Sequence, residues 1–245
     1  MKWRDLFHDR QLLALGVLTR SVRQANQEMQ AKQISSEWRE ATCSYLACGV
    51  DRLVDYCNVN TQWKVDADTV NHALVRFAIQ ITWDFAEGNP MGTGAGAFEL
   101  CINRIATGLD TLAHLPSEMA DPHIVNASAQ AHTSAVDIVV TDPPYYDAIP
   151  YSDLMDWFYI WLRRMMFDLN DEHRSSMSLA LGPKWDRDKK DGELVDDDAR
   201  HGGDTEASKR AYEEGMSQAF QRCRESLNDA GRLVIVFANK SPDAW

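Results

Sequence analysis

The sequence lacks a long apolar run and has few cysteines, and both shortages narrow the kind of protein it encodes. No stretch approaches the roughly 18 apolar residues that a membrane-spanning helix needs, and the charged start MKWRDLFHDR is unlike a secretory signal. The five cysteines, an odd number, include no C-x₂-C pair and no spacing typical of a zinc ribbon. We therefore predict a soluble, cytoplasmic protein with reduced cysteines, without a membrane partner or a metal site.

Positive charge is also in short supply. The chain has 25 Lys and Arg against 37 Asp and Glu, which gives a formal net charge of −12. Binding to nucleic-acid phosphates needs clustered Lys and Arg, so either the charges are segregated or other parts of the protein hold the duplex. Many of the acids lie in residues 186–208, which we interpret as a solvated, flexible loop. A lid that orders over a substrate is the alternative interpretation.

The spacing of apolar residues divides the 245-residue chain into a helical first half and an alternating second half. Helical stretches of the first half are predicted at 9–30, 35–57, about 67–87 and about 97–114. In the second half, strands are predicted at 122–127, 136–141 and 231–240, and helices at 152–168 and 206–229. The strands at 136–141 and 232–238 are expected to lie side by side and parallel. Core packing is the prediction for four residues at helical spacing: Trp157, Phe158, Trp161 and Met165. We predict an α/β fold in which a helical region, 1–120, packs on an α/β domain, 121–245.

A glycine-rich stretch at 87–100 has two interpretations. Gly92, Gly94 and Gly96 resemble a loop that cradles a nucleotide or the methionine end of a cofactor. Such a loop follows a buried strand, whereas the residues before this one have helical character. A plain loop between two helices is therefore the favoured interpretation, and a loop that contacts a cofactor is the alternative.

The stretch VDIVVTDPPYY, residues 136–146, is the most informative part of the sequence. Its β-branched, nearly continuous apolar run is typical of a central strand that is covered on both faces in a parallel sheet. Pro143 and Pro144 cannot continue a strand, so the chain leaves the sheet at Asp142. In open α/β sheets, ligands bind just beyond the carboxyl ends of strands. The alternative is an ordinary Asp-Pro-Pro turn.

The residue types in this motif suit a reaction at the exocyclic amine of a nucleobase. That amine is a poor nucleophile because its lone pair is delocalised into the ring. Two acceptors for its hydrogens, the carboxylate of Asp142 and the carbonyl of Pro143, would favour a pyramidal nitrogen with an available lone pair. Pro144 would hold that carbonyl in place, and Tyr145 would stack on an extruded base.

Residues 142–145 resemble the catalytic Asp-Pro-Pro-Tyr motif of S-adenosylmethionine-dependent amino-methyltransferases, which act on adenine N6 or cytosine N4. The longer stretch 136–164 is similar to the adenine-specific DNA methylases that carry a zinc ribbon and a domain of unknown function. DLFHDRQLLAL at 5–15 and ARHGGDTEASKRAYEEGM at 199–216 resemble two other segments of that family. The resemblance implies part of a Rossmann-like methyltransferase sheet that methylates DNA adenine at N6, in restriction-modification or phage defence.

The resemblance also implies a cofactor, S-adenosylmethionine, and a macromolecular partner, DNA. Its candidate catalytic residues are Asp142, Pro143, Pro144 and Tyr145. Its candidate DNA-contacting residues are Tyr145, Tyr146 and Tyr151. Relatives have Gly-Asp-Ala after the strand near 124, where this chain has Ala127-Ser128-Ala129. The corresponding candidates for cofactor binding are Asn126, Ser128 and Asp142.

The chain departs from the family in what it lacks. The Asp-Pro-Phe-x-Gly-x-Gly cofactor turn and the zinc ribbon do not occur in it. We therefore interpret the chain as a fragment of a longer methylase. The fragment is predicted to be inactive alone, and the remainder of the methylase is its predicted partner. The alternative is a non-catalytic nucleic-acid-binding or assembly subunit with a degenerate methyltransferase fold. Methylation of a protein glutamine amide is less favoured, because enzymes with that activity resemble the motif with Asn at its first position.

Overall fold

The computed structural model describes residues 2–75, 82–115, 122–125, 127–131, 134–145, 149, 151–181 and 192–237. These residues form helices and two small sheets, so the predicted α/β class is confirmed. The chain divides into two compact units, Met1–Met119 with Leu154–Gly182 and Ala120–Asp153 with Pro183–Trp245. The division predicted at 120/121 differs, since residues 154–182 belong to the first unit. No helix in the described ranges combines the length and apolar character of a membrane span.

Three helices of the first unit follow the predicted stretches closely. They are α1, Asp9–Ala31, α2, Ser36–Val54, and α3, Phe98–Ala113. Helix α1 packs on α2, and α2 packs on α3. The side chain of Ser35 caps α2 by accepting a hydrogen bond from the Trp38 amide, which satisfies a backbone donor that the first turn leaves free.

Aromatic rings of the first unit pack around helix α4, which spans Tyr151–Met166. Phe7 stacks on Trp157 with ring centroids 5.2 Å apart, and it meets Trp161 edge to face at 5.7 Å. Trp157 and Trp161 are both buried, and Met165 is buried beside them in the same cluster. The predicted core packing of this helix is confirmed. A short helix, α5, follows at Asp171–Ser176.

The helix predicted at about 67–87 is wrong in the described residues. The chain instead forms an antiparallel hairpin of β1, Gln62–Lys64, and β2, Thr69–Asn71. Asp68, between the strands, has φ = 48°, a left-handed conformation that a helix does not contain. Beyond β2, the carboxylate of Asp55 accepts two successive backbone N–H groups at 3.0 and 3.1 Å. Tertiary hydrogen bonds thus replace the helical ones that the apolar spacing indicated.

The second unit contains a parallel pair of strands, β3, Val136–Thr141, and β4, Leu227–Ile235. Helix α6, Thr205–Ser226, leads directly into β4. Strand β4 begins four residues before the predicted start at 231. The prediction that strands at 136–141 and 232–238 lie side by side and parallel is confirmed for the described residues. Parallel pairing requires a long crossover, and the chain between the strands contains α4, α5 and α6.

The expected burial of β3 on both faces is wrong. Register partners such as Val140 and Val234 share one face of the sheet, and that face is exposed. Its aliphatic side chains have high exposed fractions: Ile138 63%, Val140 68%, Val234 47% and Val236 50%. No described element covers them. We call these four residues the bare sheet face.

The strand predicted at 122–127 is also wrong where the structure describes it. Residues 122–125 and 127 have no strand conformation, and 126 lies outside the described residues. The described residues pair β3 with β4 only.

One carboxylate oxygen of the first unit is buried without a hydrogen-bond donor among the described residues. Asp51 lies on α2, and its Oδ1 atom is buried without a partner among the described residues. Burial without a compensating donor disfavours the charged form, and it raises the pKa of Asp51 to about 8. The folded protein therefore holds a proton at Asp51 that the unfolded chain releases near pH 4.

We expect the free energy of unfolding to fall as pH rises from about 4 to about 8, since ionised Asp51 is tolerated only in the unfolded chain. Asp51→Asn should remove much of this slope and raise stability at pH 8 by on the order of a few kcal/mol. Urea unfolding at several pH values measures both effects. At pH 4 the two proteins should have similar stability, because Asp51 is then neutral in the folded protein. Parallel curves across the whole range would contradict this account.

Candidate functional site

The Asp-Pro-Pro-Tyr motif lies directly after β3, at the carboxyl edge of the parallel pair. The amide of Val236 donates to the carbonyl of Thr141 at 2.8 Å, so the two strands stay paired up to the motif. Pro143 has no N–H to continue the ladder, and the chain leaves the sheet. Phe237, just beyond β4, therefore arrives at the same edge as Asp142.

Asp142 and Tyr145 contact each other within the motif. The hydroxyl of Tyr145 donates to Oδ1 of Asp142 at 2.7 Å. This hydrogen bond to a carboxylate raises the pKa of Tyr145, because ionising the phenol would remove the bond. The tyrosine ring meets Phe237 edge to face, with centroids 5.5 Å apart and planes at 89°. Asp142 itself is exposed, so its carboxylate is accessible to a ligand.

The proline pair is held from helix α6. The hydroxyl of Tyr212, a buried residue, donates to the carbonyl of Pro144 at 2.7 Å. Pro143 is buried as well, and no described group donates a hydrogen bond to its carbonyl. The turn thus has one carbonyl held by Tyr212 and a neighbouring carbonyl without a donor among the described residues.

An arginine cluster holds the residues that follow the motif at the start of α4. Arg200 forms ion pairs with Glu193 at 2.8 Å, Asp153 at 3.0 Å and Asp197 at 3.2 Å. Glu193 also accepts hydrogen bonds from the amide and the hydroxyl of Ser152, at 2.9 and 2.6 Å. Burial alone would lower the pKa of the Arg200 guanidinium, but the bonds and charges of Glu193 and Asp153 raise it. Arg200 is therefore a permanent cation around which these acids gather.

Residues 186–208, predicted as a flexible loop, include the segment that carries this cluster. Residues 186–191 lie outside the described residues. The described part contains a 3₁₀ turn at Asp198–His201 and the first turn of α6. The hydroxyl of Ser208 donates to the carboxylate of Asp196 at 2.5 Å. Several of the acids that suggested a solvated segment thus have partners within the second unit.

The candidate cofactor and DNA residues have different positions. Tyr151 is exposed at the first position of α4. The hydroxyl of Ser128 accepts a hydrogen bond from the amide of Gln130 at 3.3 Å, as in a local turn. Asn126 and Tyr146 lie outside the described residues.

Three cavities of about 830, 310 and 300 Å³ are lined by described residues, and none includes a residue of the motif. Ser128 stands where relatives have an acid, and its hydroxyl is engaged locally. The described part of the chain also contains no group of three or more His, Cys, Asp or Glu residues placed to hold a metal ion.

Three residues that contact or support the motif were not predicted from the sequence: Tyr212, Phe237 and Arg200. A signal for Tyr212 exists, since it lies on the buried face of α6 with Ser208 and Met216. A buried tyrosine hydroxyl needs a partner, although sequence does not say which. Phe237 and Arg200 reach their partners only through strand pairing and a turn.

Comparisons of the chain with family models, with curated proteins and with solved structures find no match.

We expect Tyr212→Phe to loosen the motif, because the Pro144 carbonyl loses its donor. The free energy of unfolding should fall by about 1–2 kcal/mol, and exchange of the Tyr145 amide hydrogen should accelerate. Hydrogen exchange and urea unfolding measure these effects. Tyr159→Phe is the matched control, because that hydroxyl donates to the Leu179 carbonyl at 2.9 Å in the first unit. Equal acceleration at Tyr145 in both variants would contradict a specific role for Tyr212.

Proposed function

We propose that this chain supplies the amine-binding part of an S-adenosylmethionine-dependent DNA adenine N6-methyltransferase. The single observation that carries the proposal is an exposed carboxylate beside a fixed proline turn at the carboxyl edge of a parallel strand pair. Ligands bind at such edges in open α/β sheets. The sequence resemblance of residues 136–164 supports the same assignment, and it implies a Rossmann-like sheet and a cytoplasmic enzyme.

The motif provides the acceptors that an adenine amine requires. Asp142 would accept one N–H of the target amine, and the carbonyl of Pro143, which has no described donor, would accept the other. Tyr212 supports this role indirectly, because its bond to the next carbonyl limits rotation of the turn. Two fixed acceptors favour the pyramidal nitrogen over the planar one, and their orientation needs no adjustment during the reaction.

Tyr145 has a second role in this proposal. Its ring is half-buried and lies edge-on to Phe237, and its hydroxyl donates a hydrogen bond to one carboxylate oxygen of Asp142. An extruded adenine would stack on the Tyr145 ring and contact Asp142 at the same time. In the free protein the hydroxyl bond holds both side chains near the positions that the base requires. Tyr146 and Tyr151 remain candidate contacts to the flanking DNA.

The cofactor site belongs in this proposal to the remainder of the methylase. S-adenosylmethionine would supply the methyl group, and none of the three cavities described above includes a residue of the motif. The bare sheet face supports a protein partner, because parallel sheets are normally covered on both faces. Strands and helices from the remainder of the enzyme would cover it and extend the sheet.

A non-catalytic nucleic-acid-binding or assembly subunit is the second candidate function. The lack of a described cofactor pocket favours it, and the exposed Asp142 carboxylate favours the methyltransferase. The two candidates differ in whether Asp142 affects a rate.

In an active preparation that contains the chain, Asp142→Ala should lower the rate of methyl transfer to DNA by about 10²–10³-fold. The reason is that a hydrogen bond formed mainly in the transition state is lost. The measurement is incorporation of labelled methyl groups into duplex DNA. Asp137→Ala is the matched control, because Asp137 is an exposed acid on β3 that binds the side chain of Asn228 at 2.8 Å.

If Asp142 is catalytic, the Asp142→Ala variant should keep a melting temperature close to that of the wild type. If Asp142 only caps the turn, the variant should have a lower melting temperature and a nearly unchanged specific activity. Near-normal turnover by folded Asp142→Ala protein would end the catalytic assignment.

Tyr145→Ala should weaken DNA capture by about 1–3 kcal/mol, and Tyr145→Phe should recover most of this loss because the stacking face is kept.

The chain alone should bind S-adenosylmethionine weakly or not at all, because the glycine turn is absent and Ser128 replaces an acid. Isothermal titration calorimetry of the cofactor into the purified chain tests this prediction. Micromolar binding would show that another segment, such as the glycine-rich stretch 87–100, forms a cofactor site.

A further inference from the structure

A polar groove runs along one face of α1 in the first unit. Its charged residues are Arg20 and Arg23 of α1, Arg164 of α4 and a single acid, Glu28, and its volume is about 830 Å³. We call it the arginine groove. It concentrates three guanidinium groups at one place in a chain whose formal net charge is −12.

The groove keeps a net positive charge, because its three arginines outnumber the acids beside them. Among the described residues, no carboxylate lies within ion-pair distance of Arg20 or Arg164. Arg164 instead donates to the carbonyl of Ile160 at 2.8 Å and lies over the ring of Trp161, 5.9 Å from its centroid. These contacts orient the guanidinium without neutralising it.

The acids near the groove cancel only part of this charge. Glu28 is the one acid in the lining, and it accepts a hydrogen bond from the side chain of Gln24 at 2.8 Å. Arg23 lies 3.5 Å from one carboxylate, that of Asp168. Both side chains of the Arg23 pair are more than half exposed, which makes the pair weak and replaceable by another anion.

The side chains that line the groove are better suited to phosphate groups than to a protein segment. Apart from the charged residues it contains only small or polar ones: Gly16, Thr19, Gln24, Gln27 and Ala31. No large apolar side chain is present to anchor a protein segment, whereas stable protein interfaces have an apolar or aromatic core. Arginine and glutamine are suited to phosphate oxygens, and arginine binds them in bidentate fashion.

The dimensions of the groove agree with a phosphate backbone. The lining residues recur on one side of α1 from Gly16 to Ala31, which at about 1.5 Å per residue is roughly 22 Å. Several consecutive phosphates of a nucleic-acid strand fit along this length, since they are spaced at about 3.4 Å along the duplex axis.

We propose that the arginine groove binds the phosphate backbone of DNA. The inference rests on the proposed function only in the choice of DNA as the polyanion, and it concerns a surface in the other unit from the Asp-Pro-Pro-Tyr motif. The groove would also explain how a chain with a net charge of −12 binds DNA, because its arginines are segregated from most of the acids.

The test is fluorescence anisotropy of a short labelled DNA duplex with the purified chain, at salt concentrations between about 50 and 200 mM. The double variant Arg20→Ala, Arg23→Ala should bind on the order of 10- to 100-fold more weakly near 0.1 M salt, and its salt slope should fall by about 2. Arg104→Ala is the matched control, since Arg104 is an exposed arginine on α3 outside the groove. It should bind like the wild type, and circular dichroism should show all variants folded.

Three outcomes would overturn the proposal: no DNA binding by the wild type at low salt, equal binding by wild type and double variant, or equal loss in Arg104→Ala. Stronger, arginine-dependent binding of polyglutamate than of DNA would overturn the choice of partner. Because no methyl transfer is measured, arginine-dependent DNA binding would stand even if Asp142 proved non-catalytic. Failure of DNA binding would likewise leave the Asp142 rate test to decide the proposed function separately.

Discussion

The parallel pairing of β3 with β4 is the constraint on which the geometry of the candidate site depends. Because the strands run in the same direction, both of their carboxyl ends reach one edge. Tyr145 and Phe237 contact each other there although about ninety residues separate them in the chain. An antiparallel pair would place the end of one strand beside the start of the other. The proline pair then prevents further strand and leaves the Asp142 carboxylate accessible.

The contacts that hold the motif come from segments far along the chain. Tyr212 fixes the Pro144 carbonyl, and Arg200 gathers Glu193, Asp153 and Asp197 around the residues that follow the motif. Rigid turns need such support, since a free Asp-Pro-Pro-Tyr peptide would sample many orientations of its carboxylate. Three of the acids of this region are therefore structural partners of one partly buried cation.

Charge and apolar area are both unevenly distributed. The acidic chain carries a groove with three arginines in one unit, and the other unit exposes four aliphatic side chains on the bare sheet face. A two-stranded sheet has little independent stability, and parallel sheets usually have helices on both faces. Both features agree with the partners proposed above, a polyanion for the groove and protein for the sheet.

Local sequence determined the helices and strands whose signals are strong. The capped, apolar spacing of α2 and the β-branched run of β3 were interpreted correctly, as was the stop at Asp142, because backbone geometry and proline chemistry act over a few residues. The apolar spacing did not predict the hairpin at 62–71, which is formed by pairing between two short strands and is followed by backbone amides that the carboxylate of Asp55 accepts. The exposure of β3 was missed for a related reason. An apolar run indicates that a strand needs to be buried, but only the tertiary structure decides which elements pack over the strand. The partners of Asp142 and Pro144 likewise come from strand pairing and helix packing, which bring together residues that no local pattern relates.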